Sequence, residues 1–64
     1  METKSLIEIR KEKGLNQQDL AKLAGVSQST LSYIERAVHK PQKRIRRDIA
    51  AALDVLEEEI EEFN

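Results

Sequence analysis

Residues 17–36 read QQDLAKLAGVSQSTLSYIER. Leu20, Ala21 and Ala24 recur at helical spacing, Gly25 interrupts them, and Leu31 and Ile34 resume the period. The spacing predicts two short helices, Gln17 to about Ala24 and Gln28 to about Arg36. Asn16 and Ser27 stand immediately before them, and side chains of these types accept free N–H groups of a first helical turn. Capping alone is a sufficient role for both. Two helices joined by three or four residues with Gly in the turn make a helix-turn-helix. Ala21 has to be small because the second helix crosses close to it. Val26, Leu31 and Ile34 then point inward. The opposite face of the second helix carries Gln28, Ser29, Ser32, Tyr33 and Arg36 at i, i+1, i+4, i+5 and i+8. That face is polar yet almost uncharged, unlike an ordinary solvated face.

The flanks extend the same pattern. Ser5 and Glu8 have capping-box spacing, and Leu6 and Ile9 share a face, so a first helix is expected from about Ser5 to Lys13. Gly14 ends it. Ala37 to Pro41 reads as a loop. A fourth helix is expected from about Gln42 to Leu53, with Ile45, Ile49, Ala52 and Leu53 inward. A fifth is expected over roughly Val55 to Phe63, with Leu56, Ile60 and Phe63 on one side. Asp54 either ends the fourth helix in a left-handed conformation or caps the fifth with Glu57. No stretch alternates as a strand does. The expected fold is all-α, five short helices in one domain over residues 1–64.

Composition bounds what such a chain can do. With 64 residues it can hold one modest core and no deep pocket. It has no cysteine, which excludes disulfides and thiolate metal sites and suits a reducing compartment. No apolar run approaches the roughly 20 residues of a membrane span, and the first ten residues are too charged for a signal peptide. The net charge of −1 hides an asymmetry: residues 1–53 carry 11 basic and 6 acidic side chains, whereas residues 54–64 carry six acids and no base. A basic body with an acidic end flags a nucleic-acid binder, or simply two kinds of solvated helix face. His39 has no second His or Cys near it, so no metal is expected there. No cofactor is expected either. The acids lie on solvated faces and no nucleophile stands beside a base, so the chain does not read as an enzyme.

The segment Gln17 to Arg36 resembles the helix-turn-helix of the lambda-repressor-like proteins, the Cro and phage-repressor relatives also called XRE-type regulators. The resemblance runs from Leu6 to about Ile60. It includes Leu6, Ile9 and Arg10, the Gly14-Leu15 turn, Ala21, Gly25, and Pro41 before the fourth helix. Three positions depart from the family pattern. Ala37 stands where relatives carry Gly, Gln42 replaces a Ser cap, and Leu56 replaces a Ser before the last helix.

The resemblance implies that helix Gln28 to Arg36 lies in a DNA major groove with its N-terminal part against base edges. Gln28 and Ser29 are then the leading base readers, since Gln can pair bidentately with adenine. Ser32 specifies weakly, and Tyr33 either touches a thymine methyl or bonds a phosphate. The alternative is that Gln28 and Tyr33 are plain surface residues. Phosphate contacts are expected from Gln17 at a helix N-terminus, from Thr30 at the edge of the reading face, and from Lys40, Lys43 and Arg44. Arg46 and Arg47 can point elsewhere. His39 is a loop residue or a further DNA contact. Arg10 and Glu35 match positions that form a structural ion pair.

The expected function is sequence-specific binding of double-stranded DNA by a transcriptional regulator, a repressor, acting as a weak homodimer on a near-palindromic operator. Leu56, Ile60 and Phe63 either serve that dimer or complete the core, and completion of the core is preferred for Leu56 and Ile60. With no second domain expected, regulation would come from concentration, a partner or degradation. The alternative is an antitoxin or partner-protein-binding module on the same fold, its acidic end meeting a basic partner. Either would work in the cytoplasm, bacterial or phage-encoded, at the nucleoid and not at a membrane.

Overall fold

Ser5, Asn16 and Ser27 each begin a helix by the same chemistry. Ser5 Oγ accepts the Glu8 N–H at 3.1 Å, Asn16 Oδ1 the Asp19 N–H at 2.7 Å, and Ser27 Oγ the Thr30 N–H at 3.0 Å. The Asp19 carboxylate accepts the Asn16 N–H in return, which closes a full capping box. The computed structural model describes residues 2–38 and 40–64, so His39 lies outside the described residues. Its helices are α1 (Leu6–Glu12), α2 (Gln17–Ala24), α3 (Gln28–Glu35) and α4 (Lys43–Leu53). The expected ends Ser5 and Gln42 prove to be N-caps, and Lys13 and Arg36 C-caps. The α1 box is only half made. A further free donor of the first turn of α1 is met from the far end of the chain, where Glu62 Oε1 accepts the Leu6 N–H at 2.8 Å.

The turn between α2 and α3 follows from Gly25, whose φ of 71° is cheap only for glycine. It lets the Val26 N–H reach back to the Ala21 carbonyl at 3.0 Å. Ala37 adopts the same left-handed region, φ 56°, after α3. There the Val38 N–H bonds the Tyr33 carbonyl, so the loop keeps a glycine-type shape at a steric cost of about 1–2 kcal/mol. Asp54 ends α4 in the same way, φ 57°.

One apolar cluster joins every element. Leu6, Leu20, Leu31, Ile49, Leu53 and Ile60 are all less than 2% exposed. Each contributes about 1.5–3 kcal/mol by leaving water. Ile9, Ala21, Ala24, Ile34, Ala50 and Phe63 fill between them, and Leu15, Val26, Ile45, Ala52 and Val55 pack at the edge. α2 packs against α3 and α4, which fixes the angle of the helix-turn-helix. On α4 the fully inward alanine is Ala50, while Ala52 is half-buried.

The C-terminal end departs from expectation. Among the described residues no fifth α-helix forms. Two 3-10 turns, Glu57–Glu59 and Glu61–Phe63, flank Ile60, which is extended (φ −99°, ψ 116°). Ile60 pairs in parallel with Lys4: the Lys4 N–H bonds the Glu59 carbonyl and the Glu61 N–H bonds the Lys4 carbonyl, both at 2.9 Å. A continuous helix would stack Glu57 on Glu61 and Glu58 on Glu62, like charges four apart that destabilise it. The break also changes which residues face inward. Ile60 and Phe63 are buried, whereas Leu56, expected in the core, is 53% exposed. The expected Asp54–Glu57 box is replaced by Glu59, whose carboxylate accepts the Leu56 N–H at 2.7 Å. Nearby, Lys4 Nζ donates to Glu12 at 2.7 Å, and that bond and charge hold the lysine above its ordinary pKa. Both side chains are about half exposed, so the pair adds little stability.

These placements predict opposite outcomes for neighbouring apolar residues. Phe63→Ala should lower unfolding free energy by about 3–5 kcal/mol, and Leu56→Ala should change it by less than about 0.5 kcal/mol. Urea denaturation of the two variants checks this. Equal losses would mean a continuous terminal helix with both residues inward.

Candidate nucleic-acid interface

Behind the outer face of α3 lies a buried charge. The Glu35 side chain is 4% exposed, and the Arg10 side chain, from α1, is 12% exposed. Arg10 Nε donates to Glu35 Oε2 at 2.7 Å and Nη2 to Oε1 at 3.3 Å, a fork-to-fork contact. Arg10 Nη1 donates to the Leu15 carbonyl at 3.1 Å, which holds the turn before α2. The ion pair expected from the sequence is therefore formed.

The pair continues outward through two amides. Gln17 Nε2 donates to Glu35 Oε1 at 3.1 Å, and Gln28 Nε2 donates to Gln17 Oε1 at 3.2 Å. An ionised carboxylate can only accept. Gln17 must therefore turn its NH2 toward Glu35 and its oxygen toward Gln28. Gln28 must in turn offer its NH2 to that oxygen. Among the described residues this leaves Gln28 with a free Oε1 and one free N–H, the acceptor and donor that an adenine edge requires.

The outer face gathers the sequence candidates. Gln17, Gln28, Ser29, Ser32, Tyr33 and Arg36 line one open polar depression. Gln28, Ser29 and Tyr33 are exposed, and Ser32 is half-buried. Thr30 is half-buried and does not line this depression; it borders two neighbouring hollows, and its Oγ1 accepts from Ser27 Oγ at 2.8 Å. Gln17 was read as a phosphate contact. Its side chain is half-buried and occupied by Glu35 and Gln28, so a phosphate would meet the second amide N–H and the first backbone N–H groups of α2.

Lys40, Lys43 and Arg44 are exposed. Lys40 borders a hollow with Thr30, Tyr33, Ile34, Pro41 and Ile45. Arg44 borders a second hollow that shares Thr30, Gln42 and Ile45 and takes in the turn from Gly25 to Ser27. Both cations therefore line hollows that reach Thr30 of α3, whereas Lys43 lines neither. Arg46 does point elsewhere: Nη1 donates to the Pro41 carbonyl at 2.6 Å, and Nε lies 3.4 Å from Glu57 Oε1. It ties the basic loop to the C-terminal turns. Arg47 is exposed.

Sequence reading missed two features. The bridging role of Gln17 depends on the approach of α2 to α3, which no local pattern reports. Arg36 was placed on the outer face but not among the site residues, although 28, 32 and 36 form an i, i+4, i+8 series. Its guanidinium carbon sits 5.0 Å from the centre of the Tyr33 ring.

The profile of a family described as helix-turn-helix matches residues 6–60. No curated protein and no solved structure matches the chain significantly. Among the described residues no helix is long and apolar enough to cross a membrane.

Arg10→Met should destabilise the fold by about 3–5 kcal/mol, because it leaves the Glu35 carboxylate buried without its cation. The double variant Arg10→Met/Glu35→Leu should regain most of that loss in the same urea titration. A single-variant loss below about 1 kcal/mol would mean that Glu35 reaches water.

Proposed function

Because the chain belongs to the lambda-repressor-like, XRE-type helix-turn-helix family of DNA-binding domains, we propose that it is a sequence-specific regulator of transcription, a repressor, that reads duplex DNA through α3. The observation that carries this is the fixed amide order running from Glu35 through Gln17 to Gln28. A surface glutamine with no partner would lose side-chain rotamer freedom on binding, whereas Gln28 is already held with one acceptor and one donor outward. Gln28 pairs with an adenine, and Ser29, Ser32 and Tyr33 contact the neighbouring bases. Gln17, Thr30, Lys40, Lys43 and Arg44 contact phosphates on either side.

The repressor binds a near-palindromic operator as a weak dimer. The exposed Val38 and Leu56, at 56% and 53%, supply apolar surface for self-association. Ile60 and Phe63 take no part, since the core occupies them. Such a protein works at the nucleoid, in the cytoplasm of a bacterium or from a phage genome.

Selection of bound sequences from a random duplex library at moderate salt tests the proposal. The expected result is an inverted repeat with half-sites about one helical turn apart. Weak binding with no enriched sequence would overturn it in favour of a partner-binding module on the same fold. On the selected site, Gln28→Ala should cost about 1–3 kcal/mol and abolish preference at one base pair. Lys43→Ala should weaken all sequences alike and reduce the slope of log K against log salt by about 0.9.

A further inference from the structure

The outer face of α3 ends in a cation that the reading above does not use. Arg36 is the C-cap of α3 and is exposed. It continues two rows of the face, 28–32–36 and 29–33–36, and lines the same depression as Gln28 and Ser29. Ion pairs among the described residues are Lys4–Glu12, Arg10–Glu35 and Arg46–Glu57, so no carboxylate pairs with Arg36. Glu35, its neighbour in sequence, faces the interior and is occupied by Arg10. The Tyr33 ring lies 5.0 Å from the guanidinium carbon and holds the group on the face by its charge. No hydrogen bond among the described residues uses the side-chain N–H donors of Arg36, so the planar fork remains open to a ligand.

On the reading proposed above, on which this inference rests, we propose that Arg36, shelved on Tyr33, is a second base reader and that its target is a guanine. The guanidinium fork matches the O6 and N7 acceptors of guanine in the major groove, as the amide of Gln28 matches adenine. The distance between the two readers sets where that guanine lies. Eight residues of helix rise about 12 Å, which is three to four base pairs at about 3.4 Å each. Each half-site therefore holds an adenine for Gln28 and, three to four pairs away, a guanine for Arg36, with Ser29 and Ser32 facing the pairs between. Tyr33 acts as a positioning residue for the arginine, besides any base contact of its own.

The test uses the sequence enriched by the wild-type chain and duplexes altered at each position in turn. Arg36→Ala should lose about 5- to 150-fold on the best site and show no preference at one G·C pair. Arg36→Lys should recover little of that preference, since an ammonium lacks the fork. Tyr33→Leu should reduce discrimination at the same pair, and Tyr33→Phe, which keeps the ring, should preserve it. Arg36 and Tyr33 are exposed, and the urea midpoint of each variant separates loss of reading from loss of fold. An enriched operator whose base preferences survive Arg36→Ala, with affinity falling equally on every sequence and the salt slope falling by about 0.9, overturns this inference alone and makes Arg36 a phosphate contact. A wild-type chain that enriches no sequence overturns both this inference and the function beneath it.

Discussion

The interaction on which the molecule depends is the buried carboxylate of Glu35. It draws Arg10 from α1, Gln17 from α2 and, through Gln17, Gln28 at the start of α3. A buried ion pair is weak evidence of stability, because desolvation offsets much of the attraction. Its value here is directional. An acceptor-only group at the bottom of a chain of amides leaves one hydrogen-bonding order for everything above it. Replacing the pair by apolar residues could leave a stable fold, yet the two glutamines would lose the reason to point one way. Polar burial in this chain therefore prepares a surface rather than adding to the core.

The remaining stability has to come from little material. Among the described residues one cluster of twelve buried apolar side chains spans Leu6 to Phe63, and the chain closes it by joining its ends. Lys4 pairs with Ile60, Glu62 accepts an N–H of the first turn of α1, and Phe63 is buried in the cluster. This changes how the acidic end should be understood. Read by charge alone, it invited a basic partner. Three of its carboxylates are instead engaged within the chain: Glu57 near Arg46, Glu59 at the Leu56 N–H and Glu62 at the Leu6 N–H. Asp54, Glu58 and Glu61 remain exposed.

α1, α2, α3 and α4 were legible in the sequence within a residue at each end because their signals are local. A Ser or Asn cap, a Gly at a left-handed end and apolar residues three and four apart all act within one or two turns. The terminal segment was misread for the opposite reason. Its Leu56, Ile60 and Phe63 fit a helical period, but the hydrogen bonds that decide it come from Lys4, far away in sequence. The outer face of α3 was equally legible, since inward Leu31 and Ile34 leave only Gln28, Ser29, Ser32, Tyr33 and Arg36 outside. The hold of Gln17 on Gln28 was not, because it exists only once α2 and α3 cross.

The basic loop and the start of α4 show the opposite economy from the α3 face. Gln42 offers no side-chain cap, the first turn of α4 contains no acid, and Lys43 and Arg44 stand at the positive end of the helix dipole. Cations there are unfavourable by about 0.3–1 kcal/mol each. Ala37 adds the strain of a left-handed alanine on the other side of the same loop. A chain with so small a core has little reason to keep these features for folding. An anion brought to the loop would remove the charge penalty at once, because it would satisfy the uncapped N–H groups and face Lys43 and Arg44 together. The α3 face is thus prearranged by internal bonds, whereas the loop is left electrostatically incomplete. Of the ligands in view, a phosphate backbone beside a major groove meets both conditions together.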